Sequence, residues 1–322
     1  MQASQDVIAP AGVVSPSLLA AGRRRRRGSL ERQEAIAFHV FASPWIIGFL
    51  VFTLFPLVAS LYLSFSKYEL ITPPTWSGLS NYRMLLRDPL IRQALKVTTI
   101  YSVGSVTLGV VLAFLVALLM NQKVKGVYVW RTIYYIPSTL SGVPVALLWA
   151  WIFNPNFGIL NAAVGLVGIK GPNWLGSSDW VVSAFILMSL WGIGGSMVIF
   201  LAGLQGIPDH LYEAASLDGA GVLRKFCHVT VPMVSPVILF NLVMGVIGAF
   251  RTFTAGYVMT DGGPANASLF YVLYLYRRAF RMFDMGYACS MAWVLFAIIM
   301  VLTFIIFRTS SFWVYYEAVS GK

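Results

Sequence analysis

The stretch that decides the fold is LQGIPDHLYEAASLDGAGVLRKFCHVTVPMVSP, residues 204–236. It is a polar interruption between two long apolar runs, and the chain on either side of it has the composition of membrane-spanning segments. Because the core of a bilayer holds no water, the polar groups of this stretch belong outside it. This is therefore where the protein can most readily hold a folded contact with a partner in water.

Within this stretch the sequence predicts a helix, a tight bend and a second short helix. Pro208 suits the first turn of a helix, where its missing N–H costs nothing, and residues 210–217 are mostly good helix formers. Gly219 and Gly221 are expected to end this helix, because glycine adopts the backbone angles of a helix end without steric cost. Residues 222–229 then supply the second helix.

One face of the first helix has the properties of a docking surface. Ala214 and Ala215 leave that face nearly flat, so that another backbone can come close, and Glu213 beside them offers a carboxylate to a basic partner. From these residues alone, the alternative is an amphipathic loop helix that lies at the lipid headgroups.

Composition places the chain among polytopic membrane proteins. Of its 322 residues, 58% are hydrophobic and only 11% are charged, which is more apolar surface than a soluble domain of this length needs. The net charge of +11 would suit nucleic acid, but a large part of it comes from the block Arg23 to Arg27, next to a membrane span. We interpret this block as a topology signal and a contact with anionic lipid, and we expect no nucleic-acid partner.

Six apolar runs are long enough to cross a hydrocarbon core about 30 Å thick, so the predicted fold class is an all-α polytopic membrane protein with six transmembrane helices. The predicted spans are 42–65, 97–120, 133–153, 180–203, 234–259 and 287–307. Pro137 and Pro144 lie inside the third span and predict kinks. Residues 1–40 form a basic tail that we expect to be partly disordered. Residues 41–310 form the membrane domain, and residues 311–322 form a C-terminal tail.

The distribution of Lys and Arg orients the spans. Cytoplasmic segments of membrane proteins carry an excess of these residues, and the arginine block precedes the first span. With the N-terminus inside, six spans place both termini and the loop 204–231 on the cytoplasmic side. The docking surface is then within reach of a soluble cytoplasmic partner.

The loop resembles the EAA loop of inner-membrane permeases of binding-protein-dependent ABC importers. The run Glu213-Ala214-Ala215, followed by Gly219 and Pro232, carries this resemblance. Residues typical of the carbohydrate branch of these permeases are also present: Ile207, Pro208, Leu211, Tyr212, Asp218, Ala220 and Phe226. Outside the loop the resemblance includes Asn81-Tyr82, Asp88-Pro89 and Gly262-Gly263-Pro264.

The resemblance implies a multi-pass permease subunit of the bacterial cytoplasmic membrane that moves a mono- or oligosaccharide. The implied partners are a second permease subunit, an ATPase homodimer in the cytoplasm, an external solute-binding protein, the saccharide and membrane lipid. ATP and Mg²⁺ are implied to bind to the ATPase, and no cofactor is expected on this chain. The residues implied to couple to the ATPase are Glu213, Ala214, Ala215, Asp218, Gly219 and Ala220.

No pattern in the sequence predicts catalysis or a metal site. His39, His210 and His228 are scattered, and there is no G-x-x-x-x-G-K-[ST] motif that would bind ATP phosphates. We therefore expect a transport subunit and no enzyme. An ion-coupled secondary transporter is the alternative, but it needs acidic or histidine relays inside the spans, and the predicted spans contain no acidic residue. A membrane-embedded enzyme would need a clustered nucleophile, a metal site or paired carboxylates.

Arg251 is the charged residue that falls inside a predicted span. A guanidinium at that depth is costly and is expected to face protein or water, which makes it a candidate for the substrate pathway. The alternative is an arginine at a helix end that reaches outward, or one that pairs with a partner subunit. Asn241, Phe250 and Tyr257 are further candidates, because amides bond sugar hydroxyls and aromatic faces stack on sugar C–H patches. An acidic saccharide would explain a buried cation better than a neutral one.

Overall fold

The computed structural model describes residues 16–122 and 124–315, with side chains described from Arg32 onward. The α-helices are α1 Pro16–Phe49, α2 Phe55–Ser64, α3 Ser80–Arg87, α4 Pro89–Met120, α5 Val127–Thr139, α6 Val143–Ile152, α7 Ile159–Gly165, α8 Val181–Trp191, α9 Gly194–Gln205, α10 Asp209–Leu217, α11 Val222–Lys225, α12 Val231–Phe250, α13 Thr254–Met259, α14 Tyr271–Tyr276 and α15 Met285–Ser310. The predicted all-α fold class is confirmed.

Short irregular elements interrupt this helical fold. Three π-helical segments follow α1, α11 and α14, at Leu50–Leu54, Phe226–Thr230 and Arg277–Arg281. The strands β1 Ser66–Lys67 and β2 Thr75–Trp76 form an antiparallel ribbon, with Ser66 opposite Trp76. This ribbon lies in the connection between the first two spans.

In the described part of the chain, four helical segments are long and apolar enough to span a membrane. They are Arg32–Ser64, Pro89–Met120, Val222–Met259 and Met285–Ser310. Two bent helix pairs, α5 with α6 and α8 with α9, raise the number to six if each pair is one span. These six segments fall where the sequence predicts its six spans.

The third predicted span, over 133–153, is interrupted by a sharp bend, and the sequence predicts kinks there from Pro137 and Pro144. Helices α5 and α6 meet at 106°. Leu140 is extended and Gly142 has a φ of +76°, in the left-handed region that favours glycine, and Pro144 then lies in the first turn of α6. The fourth span is bent as well, by 49° between α8 and α9. The prolines therefore predict where the helix bends but not the angle of the bend.

The chain divides into two compact units, residues 1–60 and residues 61–322. In the first unit α1 begins at Pro16 and includes the part of the basic tail from that residue onward, and the predicted partial disorder of the tail stays a prediction. Residues 1–15 lie outside the described residues. From Arg32 to Ser60 no side chain is buried, and Phe41 and Phe52 are 85% and 80% exposed, which is the composition and exposure of a helix that faces lipid.

The core of the second unit forms between α4, α8–α9, α12, α14 and α15. Its main cluster contains Phe185, Phe270, Tyr271 and Met291, each of which is fully buried. A second cluster lies nearer the loop that joins α9 to α12, and Met197, Phe200, Ala113 and Val234 are members of it. The two clusters fix α4 and α12 against α9. Of the C-terminal tail, residues 316–322 lie outside the described residues.

Candidate functional site

The loop between α9 and α12 folds as a helix, a bend and a helix, as the sequence predicts. Pro208 is the residue before α10, one position earlier than expected, and its ψ of 133° sets the direction in which the helix starts. Gly219 has a φ of +74° and follows the last turn. The N–H of Ala220 donates to the carbonyl of Ala215 at 2.9 Å, which closes the helix end.

The predicted coupling residues occupy the outer side of this loop. Glu213, Ala214, Asp218 and Gly219 are exposed, while Ala215 and Ala220 are half-buried. Within the described ranges neither Glu213 nor Asp218 forms an ion pair. Two carboxylates and a flat alanine face are therefore open to a partner.

Three apolar side chains at the bend extend this surface, and the sequence analysis missed them. Leu217 is 90% exposed, Val222 is 88% exposed and Leu223 is 75% exposed. Large apolar side chains that are exposed together mark surfaces that bind another protein or a membrane. The sequence does contain a signal for this exposed apolar surface, because Leu217 precedes the Asp-Gly bend and Val222 and Leu223 follow it.

The inner side of the loop is fixed to the ends of two spans. The hydroxyls of Tyr212 in α10 and Thr230 before α12 are 3.0 Å apart and share a hydrogen bond. The ring of Phe226 stacks on Phe114 of α4, with centroids 6.0 Å apart. The loop is thus attached to α12 by a hydrogen bond and to α4 by ring packing.

A polar cavity of about 220 Å³ lies further along α4 and α12, facing the break between α8 and α9. Its polar lining consists of hydroxyls and one amide: Tyr101, Ser105, Ser189, Ser196, Asn241 and Thr252. The rest of the wall consists of four glycines and four apolar residues: Gly109, Gly192, Gly245, Gly248, Val106, Val110, Ile193 and Ala249. Of the predicted pathway residues, Asn241 is therefore placed on this cavity. Its Nδ2 donates to the Val237 carbonyl at 2.9 Å, which leaves its carbonyl oxygen as an acceptor.

A second cavity of about 300 Å³ contains Arg251 and shares Thr252 with the first. Ser141 and Thr254 supply further hydroxyls to it. Arg251 lies inside the membrane segment Val222–Met259, as the sequence predicts, but α12 ends at Phe250 and Arg251 is the residue that caps it. The side chain is exposed, and a cation at a helix C-terminus is favoured by the helix dipole. Among the described residues it makes no ion pair.

The other two predicted pathway residues lie away from both cavities. Phe250 is 4% exposed and belongs to the main core cluster. Tyr257 stacks on Phe253, with ring centroids 5.3 Å apart, and Arg281 lies 5.5 Å above its ring. Neither side chain lines a cavity wall, so the structure does not bring the four candidates together.

A buried carboxylate network lies at the opposite end of α4 from the loop. Oδ2 of Asp88 accepts hydrogen bonds from the hydroxyls of Tyr274 at 2.6 Å and Tyr287 at 2.8 Å, and from the guanidinium of Arg278 at 3.1 Å. Oδ1 of Asp88 caps α4 by accepting from the N–H of Leu90 at 2.9 Å. The network ties the start of α4 to α14 and α15.

The protonation states in this network follow from its hydrogen bonds. Burial raises the pKa of Asp88, but the hydrogen bonds to its carboxylate outweigh burial and leave the pKa below its ordinary value of 3.8. Burial and the bond to Asp88 raise the pKa of Tyr274 to about 12, so this hydroxyl is a donor at neutral pH. A permanent anion is thus held by neutral donors and one guanidinium.

A second acidic residue at the same end holds the loop before α14. Asp261 forms ion pairs with Arg277 at 3.3 Å and Arg281 at 2.9 Å, and its carbonyl oxygen accepts from Arg277. Burial raises the pKa of Asp261, but the two guanidinium groups lower it by more. The loop 261–266 contains the Gly-Gly-Pro run, with Gly262 at a φ of +81°.

Comparison with known proteins decides the class of this chain. Residues 106–316 match the family described as "Binding-protein-dependent transport system inner membrane component". The chain belongs to this family. The predicted resemblance is therefore confirmed, and the helices, loop and cavities described above are those of a transport permease.

Two relatives match the permease over most of their length. It is 45% identical over 292 residues to the "Probable ABC transporter permease protein YesP" of Bacillus subtilis (strain 168), covering 89% of this chain and 94% of that protein. It is 34% identical over 288 residues to the "Lactose transport system permease protein LacF" of Rhizobium radiobacter, covering 87% of this chain and 96% of that protein. Relatives of this kind are ABC sugar transport permeases, as the carbohydrate-type loop predicts.

A solved structure shares the fold of the permease. The crystal structure of a bacterial alginate ABC transporter, in complex with an alginate pentasaccharide-bound periplasmic protein, matches with a TM-score of 0.75 and 21% identity, covering 87% of this chain and 96% of that chain. At this identity the likeness shows the fold alone.

The sequence analysis missed the Asp88 network of the permease. Tyr274, Arg278 and Tyr287 are 186 to 199 residues from Asp88 in the chain, so no local pattern connects them. The one available signal was Asp88-Pro89, which is typical of a capped helix start. Within residues 16–122 and 124–315, no group of His, Cys, Asp and Glu is placed to hold a metal ion.

Proposed function

We propose that this chain is one of two permease subunits of an ABC importer that moves a saccharide across the bacterial cytoplasmic membrane, driven by ATP hydrolysis in a partner. The observation that carries the proposal is the loop between α9 and α12. It presents exposed Glu213, Asp218 and Leu217 to one side and is bonded on the other side to a span that lines a polar cavity. Such an arrangement can transmit a push from a soluble protein to the transport pathway.

The partners follow from the surfaces of the chain and from its family. The loop would dock on an ATPase homodimer, which binds ATP and Mg²⁺, and both termini would lie with it in the cytoplasm. An external solute-binding protein would deliver the saccharide, which is in keeping with a family described as a component of binding-protein-dependent transport systems. The exposed apolar faces of α5 and α6, which include Trp130 and Leu147 at 56% and 57% exposure, are available to lipid and to the second permease.

The transport step is alternating access. ATP binding closes the ATPase dimer and moves the docked loop, and the loop moves the ends of α4 and α12 to which it is attached. The cavity between these helices then changes its opening from one side of the membrane to the other. A ligand moves such an equilibrium only through contacts that differ between the two states, and the loop provides those contacts.

A saccharide fits the chemistry of the first cavity. The wall supplies five hydroxyls and one amide, which bond sugar hydroxyls, and its glycines leave room for a ring to approach the backbone. Among the described residues, no charged side chain lines this cavity. Arg251 lines the adjoining cavity, so an acidic group on the saccharide would be bound there, beside Thr252.

Purification from the native membrane tests this function and separates it from the alternative. We expect an ATPase to co-purify with the chain, and the reconstituted complex to accumulate saccharide only when ATP and the solute-binding protein are present. Saccharide uptake by the chain alone, driven by a proton or sodium gradient and indifferent to ATP, would instead establish a secondary transporter.

A further inference from the structure

We infer that the hydroxyl pair Tyr212–Thr230 is the joint that transmits the movement of the loop to α12, which makes both of them positioning residues for transport. The inference rests on the proposed function, since it concerns the loop that the ATPase moves. The two oxygens are 3.0 Å apart and belong to residues 18 positions apart in the chain. Thr230 is 7% exposed and Tyr212 is half-buried, so the bond is partly shielded from water.

The backbone between the loop and α12 is poorly suited to transmit force by itself. Residues Phe226–Thr230 are π-helical, and π-helical turns are places where a helix bends. Pro232, in the first turn of α12, removes one further N–H from the hydrogen-bond ladder. If the ATPase displaces α10, this segment would therefore bend and α12 would not move, unless a side-chain contact joins α10 to the far end of the segment.

The Tyr212–Thr230 bond spans this weak segment directly. It joins the middle of α10 to the last π-helical residue, so α10 and the start of α12 move together. Apolar packing of Leu211 and Tyr212 on the second core cluster also holds the loop, and Tyr212→Phe leaves that packing in place. Two further contacts do not replace the bond. The bond from Nζ of Lys225 to Oγ of Ser216, at 2.6 Å, is exposed to water. The Phe226–Phe114 stack at 6.0 Å leads to α4 and not to α12.

The movement has a defined destination on α12. Asn241 lies 11 residues after Thr230, about 16 Å along a helix axis, and Gly245 and Gly248 follow on the same helix. All three line the polar cavity. A displacement of the joint would thus reach the cavity wall along α12, past Pro236 in the interior of the helix.

The test uses the complex of both permeases with the ATPase, in proteoliposomes with the solute-binding protein and the saccharide that it binds. Tyr212→Phe keeps the ring, and Thr230→Val keeps the side-chain volume, while both remove the bond. We expect each variant to assemble and to hydrolyse ATP, but to import about fivefold less saccharide per ATP hydrolysed, the factor expected for one lost hydrogen bond. The double variant should be no worse than either single variant, because one bond is lost in all three.

Two further variants separate the joint from general packing of the loop. Thr230→Ser retains the hydroxyl and should keep the wild-type ratio of import to hydrolysis. Ser216→Ala removes the exposed bond on the same loop and should also leave the ratio unchanged. A wild-type ratio in both Tyr212→Phe and Thr230→Val would overturn the inference, as would losses that multiply in the double variant or a failure of both variants to assemble. Absence of ATP-driven import by the wild-type complex would instead contradict the proposed function itself.

Discussion

The hydroxyl of Tyr274 donates a 2.6 Å hydrogen bond to the carboxylate of Asp88, a residue 186 positions earlier in the chain. Through this contact the start of α4 is bonded to the helix that precedes the last span. The loop that we propose to dock on the ATPase lies at the other end of α4. The two ends of this helix are thus held differently, one by a buried carboxylate and the other by ring packing against the loop.

Asp88→Asn tests how much this network stabilises the fold. The substitution removes the charge that Arg278 faces. It also replaces one acceptor oxygen with an NH₂ group, which cannot accept the hydrogen bonds that Tyr274, Tyr287 and the Leu90 N–H donate to the carboxylate. Breaking a buried ion pair by removing one partner costs about 3 to 5 kcal/mol, so the thermal unfolding midpoint in detergent should fall clearly. Asp179→Asn is the matched control, because Asp179 is exposed and has no ion pair among the described residues. An equal loss in both variants would show that the network adds nothing specific.

The same network predicts a dependence of stability on pH. The pKa values of Asp88 and Asp261 are both below the ordinary 3.8, so their stabilising effect is fully present above that value. It is lost as the pH falls through the lowered pKa values. Thermal midpoints measured between pH 7 and pH 3 should therefore drop only at the acidic end, and the difference between wild type and Asp88→Asn should shrink there. A difference that stays constant to pH 3 would contradict the assignment.

Two neighbouring glycines give a matched test of helix packing. A Cβ atom on Gly194 would overlap the backbone of Tyr134 and Tyr135 in α5, whereas a Cβ atom on Gly195 would meet nothing within 4 Å. Gly194→Ala should destabilise the protein by about 1 to 3 kcal/mol through overpacking. Gly195→Ala should be neutral or stabilise α9 by up to about 1 kcal/mol. Thermal midpoints of the two variants decide this, and a more stable Gly194→Ala would refute the close approach.

Arg251→Gln tests the chemistry of the saccharide. Because Arg251 is the charged residue on the wall of the second cavity, we expect this variant to import an acidic oligosaccharide about tenfold more slowly, a loss of the size found for a charged hydrogen bond. Import of a neutral oligosaccharide of the same length should not change. Unchanged affinity and rate for the acidic substrate would remove Arg251 from the pathway.

Local patterns in the sequence predict the loop well. Pro208, the helix formers after it and Gly219 each act within a few residues of their own position, so the helix, the bend and the second helix could be predicted together. The same holds for the six membrane segments, whose apolar runs are long and, apart from Arg251, uninterrupted by charge. Sequence also indicates the break at Pro144, although its angle depends on how α6 packs and not on the proline alone.

Features that depend on distant residues could not be predicted in this way. The Asp88 network joins parts of the chain that only the tertiary fold brings together. The end of α12 at Phe250 could not be predicted, because the apolar run continues past it to Met259. Phe250 and Tyr257 have residue types that suit a sugar site, but packing places both of them away from the cavities.

The central claim is that an ATPase drives saccharide import by moving the loop between α9 and α12. The most direct test is to measure ATP hydrolysis and saccharide import together in the reconstituted complex. Gly219 has a φ of +74°, a backbone conformation that valine adopts only at a high energetic cost. Glu213 is exposed on the docking side of the loop. We predict that Gly219→Val and Glu213→Lys each leave a complex that assembles and hydrolyses ATP but imports little saccharide per ATP. Normal import coupled to hydrolysis in both variants would contradict the proposal that this loop drives transport.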